Sequence, residues 1–167
     1  MLDEDGNEFE ASGVLIGPDL VLTSAHNVRH SGGKDHVSRA VSIKAYIGYH
    51  RQGSSFKGAG VQQRFGKAAI VLQEWKRSGF DAKYDMALIK LESKFTEVNP
   101  ALYQAPSLEK TRVLVVGYPG EDTTQVRGSC ARCQTAGCMY EVAGEATQTN
   151  EKLLEYKLST LGGKYNP

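Results

Sequence analysis

The histidine that follows a predicted β-hairpin is the most informative candidate in the chain for a residue that carries chemistry. Residues 11–28 read ASGVLIGPDLVLTSAHNV, with apolar stretches at Val14–Ile16 and Leu20–Leu22 on either side of the turn-forming Gly17-Pro18-Asp19. Small residues then lead directly to His26. A histidine held by small neighbours at the end of a buried strand can keep one ring edge open, as a general base requires. An ordinary core histidine with one hydrogen bond is the alternative.

A carboxylate that could support this histidine precedes a second apolar segment. Asp85 lies in YDMALIKL, directly before a strand predicted at Met86–Leu91. We therefore expect the base of the Asp85 side chain, where it joins the backbone, to lie in the protein interior. Buried aspartates are rare unless they are paired. His26 is a natural partner, because a carboxylate that accepts the imidazole N–H fixes the ring tautomer. A strand-end aspartate bonded to backbone amides is the alternative, and Asp81, in a predicted exposed loop at Ser78–Lys83, is a weaker candidate partner.

Short strands separated by turn residues must position these groups. No segment keeps helical periodicity over three turns, and the strand spacing of roughly 8–12 residues indicates an all-β barrel or sandwich. The 18 glycines in 167 residues suit a turn-rich β protein. Lys94–Lys110 is the predicted connection between two halves. The other candidate strands are Val41–Tyr49, Ala68–Leu72, Val113–Val116, Tyr140–Val142 and Leu153–Leu158, with Gln52–Gln63 as an exposed loop.

Composition and charge argue against several classes of partner. The net charge of +1 gives no reason to expect nucleic acid or membrane lipid as a partner. No stretch approaches the ~20 apolar residues that a membrane helix needs. The first ten residues, MLDEDGNEFE, are acidic and polar, so they are not a secretory signal. No cofactor or metal is predicted, and the sequence does not indicate an oligomeric state.

Four segments of the chain resemble the chymotrypsin-like (trypsin-like) serine proteases. ASGVLIGPDLVLTSAHNV is similar to the family's histidine signature, with Ser24 in place of the usual alanine, and YDMALIKL is similar to its aspartate segment. VVGYPG at Val115–Gly120 resembles the strand and turn that open the family's second barrel. LEYKLSTLGG at Leu154–Gly163 resembles the segment that leads into the nucleophile loop of bacterial glutamyl endopeptidases.

The resemblance implies a chymotrypsin-like double β-barrel and the hydrolysis of peptide bonds in polypeptide substrates. It divides the chain into a first barrel at 1–93, a connection at 94–110 and a partial second barrel at 111–167. His26 would be the general base and acid, and Asp85 the orienting carboxylate. Secretion from the cell is implied in the same way.

The resemblance breaks where the family places its nucleophilic serine. In the family, two glycines and one further residue precede Ser-Gly, whereas here Gly162-Gly163 is followed by Lys164-Tyr165-Asn166-Pro167. Tyr165 therefore occupies the position of the serine, and Asn166 that of the glycine whose tight turn aims N–H groups at the oxyanion. We expect an inactive chain with no nucleophile. It would be a fragment or mispredicted product of a protease gene, with its opening strand clipped, or a non-catalytic relative that binds peptides or proteins.

One threonine carries a weaker signal for specificity. Thr160 lies five positions before Tyr165, and the resemblance to glutamyl endopeptidases implies that a threonine at this spacing lines the pocket for an acidic side chain. Cleavage after Glu or Asp would follow from that role. A strand threonine with no role in specificity is the alternative.

Three cysteines, Cys130, Cys133 and Cys138, form the segment CARCQTAGC. Cys-x-x-Cys spacing can bind zinc, but a structural site needs four ligands and no histidine follows nearby. For an extracellular protease, which the resemblance implies, one disulfide with an odd thiol is favoured over zinc. A cysteine nucleophile, as in viral relatives of the fold, is not favoured because these cysteines precede the nucleophile position.

Overall fold

The computed structural model describes residues 1–31, 37–49, 60–103, 111–118, 139–150 and 153–156. Strands dominate this part of the chain, so the predicted all-β class is confirmed. Its helices are α1 (Gln73–Arg77) and two 3₁₀ helices, Ala25–Asn27 and Ala82–Tyr84. Its strands are β1 (Leu2–Asp3), β2 (Val14–Gly17), β3 (Leu20–Thr23), β4 (Arg29–Ser31), β5 (Val37–Ser42), β6 (Lys44–Ile47), β7 (Gln62–Val71), β8 (Ala87–Leu91), β9 (Thr111–Gly117), β10 (Tyr140–Asn150) and β11 (Leu153–Tyr156).

The chain divides into two compact units. The first consists of Met1–Ile47 and Gln62–Tyr103, and the second of Gly48–Val61 and Gln104–Pro167. The candidate residues His26 and Asp85 both belong to the first unit.

A five-stranded antiparallel sheet, in the order β2-β3-β8-β7-β6, is the main element of the first unit. The predicted hairpin is confirmed as the β2–β3 pair, with Val14 opposite Leu22. Strand β8 shows why the sequence ALIKL folds in this way, because its alternate residues Ala87, Ile89 and Leu91 are all buried. The buried core consists of Ala25, Val28, Ile43, Trp75, Ala87, Ile89, Leu91 and Phe95.

The prediction of one strand at Val41–Tyr49 is wrong. The structure places a break at Ile43, between β5 and β6. Strand β5 pairs with β1 and β4 in a three-stranded sheet, whereas β6 pairs with β7 in the larger sheet. Ile43 itself is buried, and its carbonyl accepts a hydrogen bond from the backbone N–H of Gly66 at 2.9 Å. An alternating pattern describes one strand well, but it carries no information about a change of sheet.

Asp3, in the smaller sheet, is a buried carboxylate at the start of the chain. Its Oδ1 accepts hydrogen bonds from the backbone N–H groups of Asn7 at 2.8 Å and Asp5 at 3.0 Å. The side chain of Asn7 donates to its Oδ2 at 3.1 Å. Burial by itself raises the pKa of this carboxyl, but the hydrogen bonds from Asn7 and Asp5 outweigh burial and leave the pKa below the usual 3.8.

Other predicted elements differ from the structure in their bounds. Strand β7 begins at Gln62, so it includes the end of the predicted loop and is longer than the predicted Ala68–Leu72. The helix α1 was not predicted, because five residues are too few to show helical periodicity. The predicted exposed loop at Ser78–Lys83 is corrected in part, since Ala82 and Lys83 lie in the second 3₁₀ helix.

The described part of the second unit contains an antiparallel sheet in the order β11-β10-β9. Strand β9 contains the start of VVGYPG, and Tyr118 follows it. The Tyr118 hydroxyl donates to the carbonyl of Tyr49 at 3.0 Å, and burial raises the pKa of this phenol. The predicted residues Cys130, Cys133, Cys138, Thr160 and Tyr165 lie outside the described residues.

Candidate active site

The register of two neighbouring strands brings His26 and Asp85 together. In the antiparallel pair of β3 and β8, Thr23 lies opposite Ala87. The segment that follows β3 and the segment that precedes β8 therefore leave the sheet at the same end. His26 comes three residues after Thr23 and Asp85 two residues before Ala87, so the two side chains meet beyond the same edge.

Both oxygens of the Asp85 carboxylate bond to His26. The ring Nδ1 lies 2.6 Å from Oδ2, and the backbone N–H of His26 donates to Oδ1 at 2.8 Å. Because an ionised carboxylate only accepts hydrogen bonds, Nδ1 is the protonated nitrogen of the neutral ring and Nε2 is the basic one. The second bond fixes the carboxylate relative to the backbone that carries the ring. This arrangement is the one that a general base supported by a carboxylate requires.

Exposure differs between the two partners. The His26 side chain is 46% exposed, while that of Asp85 is 19% exposed. The expected burial of Asp85 is therefore corrected to partial burial. Strand β3 is likewise only partly buried, because all four of its residues keep an intermediate exposure. The pairing with His26, rather than deep burial, is what distinguishes this carboxylate.

Comparison with known proteins agrees with this geometry. The family model described as "Trypsin-like peptidase domain" matches residues 11–165. The chain belongs to this family. The suspected resemblance to trypsin-like serine proteases is thereby confirmed, and both His26 and Asp85 lie within the matched range.

Relatives of this trypsin-like peptidase domain include glutamyl endopeptidases of Staphylococcus aureus. The protein of strain MRSA252 is 24% identical over 163 residues, which cover 93% of this chain and 38% of the relative. The protein of strain MW2 is also 24% identical, over 93% of this chain and 41% of the relative. The chain thus spans about two fifths of the length of these relatives.

A solved structure shows the fold. The structure of a Glu endopeptidase in complex with MPD superposes with a TM-score of 0.69 and 22% identity, over 90% of this chain and 63% of that chain. The predicted chymotrypsin-like fold is confirmed by this similarity together with the mainly β content.

The turn that carries His26 is held by a hydrogen-bond network that the sequence did not indicate. The Asn27 side chain donates to Thr23 Oγ1 at 2.9 Å, and that hydroxyl donates to the carbonyl of Ser12 at 2.8 Å. Ala25 is fully buried in the core directly before His26. The only available signal was the polar pair Thr23 and Asn27 four residues apart, which is too common to be diagnostic.

Asp81, the weaker candidate partner, is used elsewhere. Its Oδ2 pairs with the ammonium of Lys83 at 2.9 Å, and its Oδ1 accepts the backbone N–H of Lys83 at 3.1 Å. The hydrogen bonds from Lys83 lower the pKa of Asp81, and the same pairing raises the pKa of Lys83. Asp81 therefore caps the 3₁₀ helix that precedes Asp85 instead of orienting the histidine.

Two further observations concern metals and membranes. Among the residues that the structure describes, no group of three or more His, Cys, Asp or Glu side chains is arranged to hold a metal ion. Within the same residues, no helix has the length and apolar character needed to cross a membrane.

Proposed function

We propose that this trypsin-like peptidase domain carries the base and the orienting carboxylate of a serine-type endopeptidase. The observation that carries the proposal is the 2.6 Å bond between His26 Nδ1 and Asp85 Oδ2, reinforced by the backbone bond of 2.8 Å. Membership of the trypsin-like peptidase family supports polypeptides as the substrates.

The chemistry follows from which ring nitrogen is basic. His26 Nε2 removes the proton from a hydroxyl nucleophile as the oxygen attacks the peptide carbonyl. The same nitrogen then gives the proton to the departing amine. Asp85 stays ionised throughout, holds the ring in the tautomer with Nδ1–H and stabilises the imidazolium that forms.

The nucleophile is the missing part of this machinery. The 167 residues contain no serine followed by glycine after the Gly162-Gly163 pair, because Tyr165 occupies that position. A phenol is too bulky for a pocket built for a hydroxymethyl group. We propose that these residues by themselves do not form an acyl-enzyme. We propose that the complete active protease is secreted. We also propose that Thr160 gives it a preference for cleavage after Glu or Asp, which the names of the glutamyl endopeptidase relatives support.

A non-catalytic peptide- or protein-binding module is the second candidate. The substitution of both the serine and the following glycine positions, by Tyr165 and Asn166, favours it. Loss of the glycine removes the turn that shapes the oxyanion hole, so a bound peptide or protein would not be cleaved.

A fluorophosphonate probe, which labels activated serines, separates these functions. We expect no label on the unchanged chain and a label on the double variant Tyr165→Ser, Asn166→Gly that disappears when His26→Ala is added. A glutamyl endopeptidase treated in parallel is the positive control. Label on the unchanged chain would contradict the proposed inactivity, and label that survives His26→Ala would contradict the role of His26. Absence of label on the double variant would contradict the proposal that His26 and Asp85 can activate a serine at position 165.

A further inference from the structure

Shortly before Asp85 the chain contains an unusual turn at Gly79 and Phe80, called the corner below. Gly79 and Phe80 both adopt the left-handed region, with φ of 69° and 71°. Glycine takes this conformation freely, but a phenylalanine does so at a cost in conformational energy. The side chain of a phenylalanine in this conformation must make contacts that offset its conformational cost.

The contacts of Phe80 go to Trp75, the buried residue of α1. The two rings meet edge to face, with centroids 5.2 Å apart and planes at 75°. The backbone N–H of Phe80 also donates to the carbonyl of Trp75 at 3.1 Å. Trp75 is 4% exposed and belongs to the core that contains Ala25, the residue before His26. The corner is therefore fastened to the same core as the histidine turn.

A continuous series of bonds leads from this corner to the carboxylate. The Ser78 hydroxyl accepts the backbone N–H of Asp81 at 3.2 Å, and Asp81 caps the 3₁₀ helix through the N–H of Lys83. At the other end of that helix, the N–H of Asp85 donates to the carbonyl of Ala82 at 3.1 Å. Asp85 then meets His26, so its placement depends on where the corner starts the helix.

We propose that Trp75 and Phe80 form an aromatic brace that positions Asp85 against His26, with Phe80 as a positioning residue. The catalytic meaning of the brace rests on the proposed function, but its structural effect does not. A loss of the Phe80 ring lets the 3₁₀ helix and its carboxylate shift, and both bonds to His26 weaken together.

The backbone amide and the ring of His26 report the effect without any nucleophile. Amide exchange of His26 is measured relative to that of Leu91, a core amide that donates to the carbonyl of Asp19. A general loss of stability speeds the exchange of core amides at least as much, so it cannot by itself raise this ratio. Nitrogen NMR shifts of the ring report whether the proton is on Nδ1. In Phe80→Ala and Phe80→Gly we expect the exchange ratio to rise by about fivefold, the factor that matches the net value of one hydrogen bond. We also expect loss of the Nδ1–H resonance.

Phe80→Gly distinguishes a brace from a mere turn residue. Glycine removes the conformational cost, so a turn role alone predicts wild-type values or better. Phe80→Tyr keeps the ring and should restore both signals, and Phe80→Leu replaces the alanine variant if that one unfolds. Phe95→Leu is the control, since Phe95 is a phenylalanine of the same core that is more deeply buried than Phe80 but lies after β8.

The outcomes separate this inference from the proposed function. Wild-type exchange and tautomer in Phe80→Gly, or an equal effect of Phe95→Leu, would overturn the brace whatever the fluorophosphonate result. If the Phe80 variants show the expected effect but the Tyr165→Ser, Asn166→Gly variant takes no fluorophosphonate label, the brace is supported and only the proposed catalytic role is contradicted.

Discussion

Asp85→Asn is the sharpest perturbation of the candidate site, because it changes one atom and almost no volume. Two donors of His26, the backbone N–H and the ring Nδ1–H, each use one carboxylate oxygen. Asparagine offers a single oxygen, and its amide nitrogen accepts nothing. We expect the oxygen to stay bonded to the backbone N–H of His26, whose position is fixed by the 3₁₀ helix Ala25–Asn27. The amide nitrogen then faces the ring and donates to Nδ1.

The consequence is a change of tautomer. With Nδ1 accepting, the neutral ring must carry its proton on Nε2, the nitrogen that the proposed mechanism needs as the base. The variant also loses one charge-assisted hydrogen bond, which contributes about 1.5–3 kcal/mol in protected settings. Since His26 is 46% exposed, solvent screening reduces this contribution, and we expect a loss of about 1 kcal/mol in the free energy of unfolding.

Two measurements check this prediction. Urea unfolding is followed by the fluorescence of Trp75, the single tryptophan of the chain and a buried one. Nitrogen NMR of His26 near neutral pH reports the tautomer. Asp19→Asn is the matched control, because Asp19 forms its ion pair with Lys90 at 2.7 Å and should leave the His26 tautomer unchanged. Persistence of the Nδ1–H form in Asp85→Asn would refute this account of the site.

Three further predictions concern the fold. Because hydrogen bonds lower the pKa of Asp3, its stabilisation is complete above the usual 3.8 and is lost as the pH falls through the lowered value. Asp3→Asn should therefore flatten the acid unfolding curve, and an unchanged slope would contradict this. Gly66→Ala places a Cβ 2.9 Å from Cβ of Ile43, so urea unfolding should show a loss of about 1–3 kcal/mol, and a neutral result would argue against the close packing. Leu91→Ala, at a side chain 1% exposed, should cost about 2–5 kcal/mol in the same assay, and a loss below 1 would contradict its place in the core.

Much of the local structure could be predicted from short segments of sequence. The β2–β3 hairpin is encoded by a turn between two apolar stretches, and β8 by the short apolar run at Met86–Leu91. The split at Ile43 could not be predicted, because the two strands there differ only in which distant strand they pair with. The domain boundaries at 93 and 110 and the catalytic roles of His26 and Asp85 stay predictions.

The sequence by itself determined which groups are available: an imidazole after a hairpin, a carboxylate before an apolar strand, and a tyrosine where the family has its serine. Residue types and local periodicity are properties of adjacent positions, so a single chain reveals them. Only the tertiary structure decided that His26 and Asp85 meet at 2.6 Å while Asp81 turns to Lys83. The meeting of His26 and Asp85 depends on the register of β3 against β8, which is fixed by contacts between residues far apart in the chain.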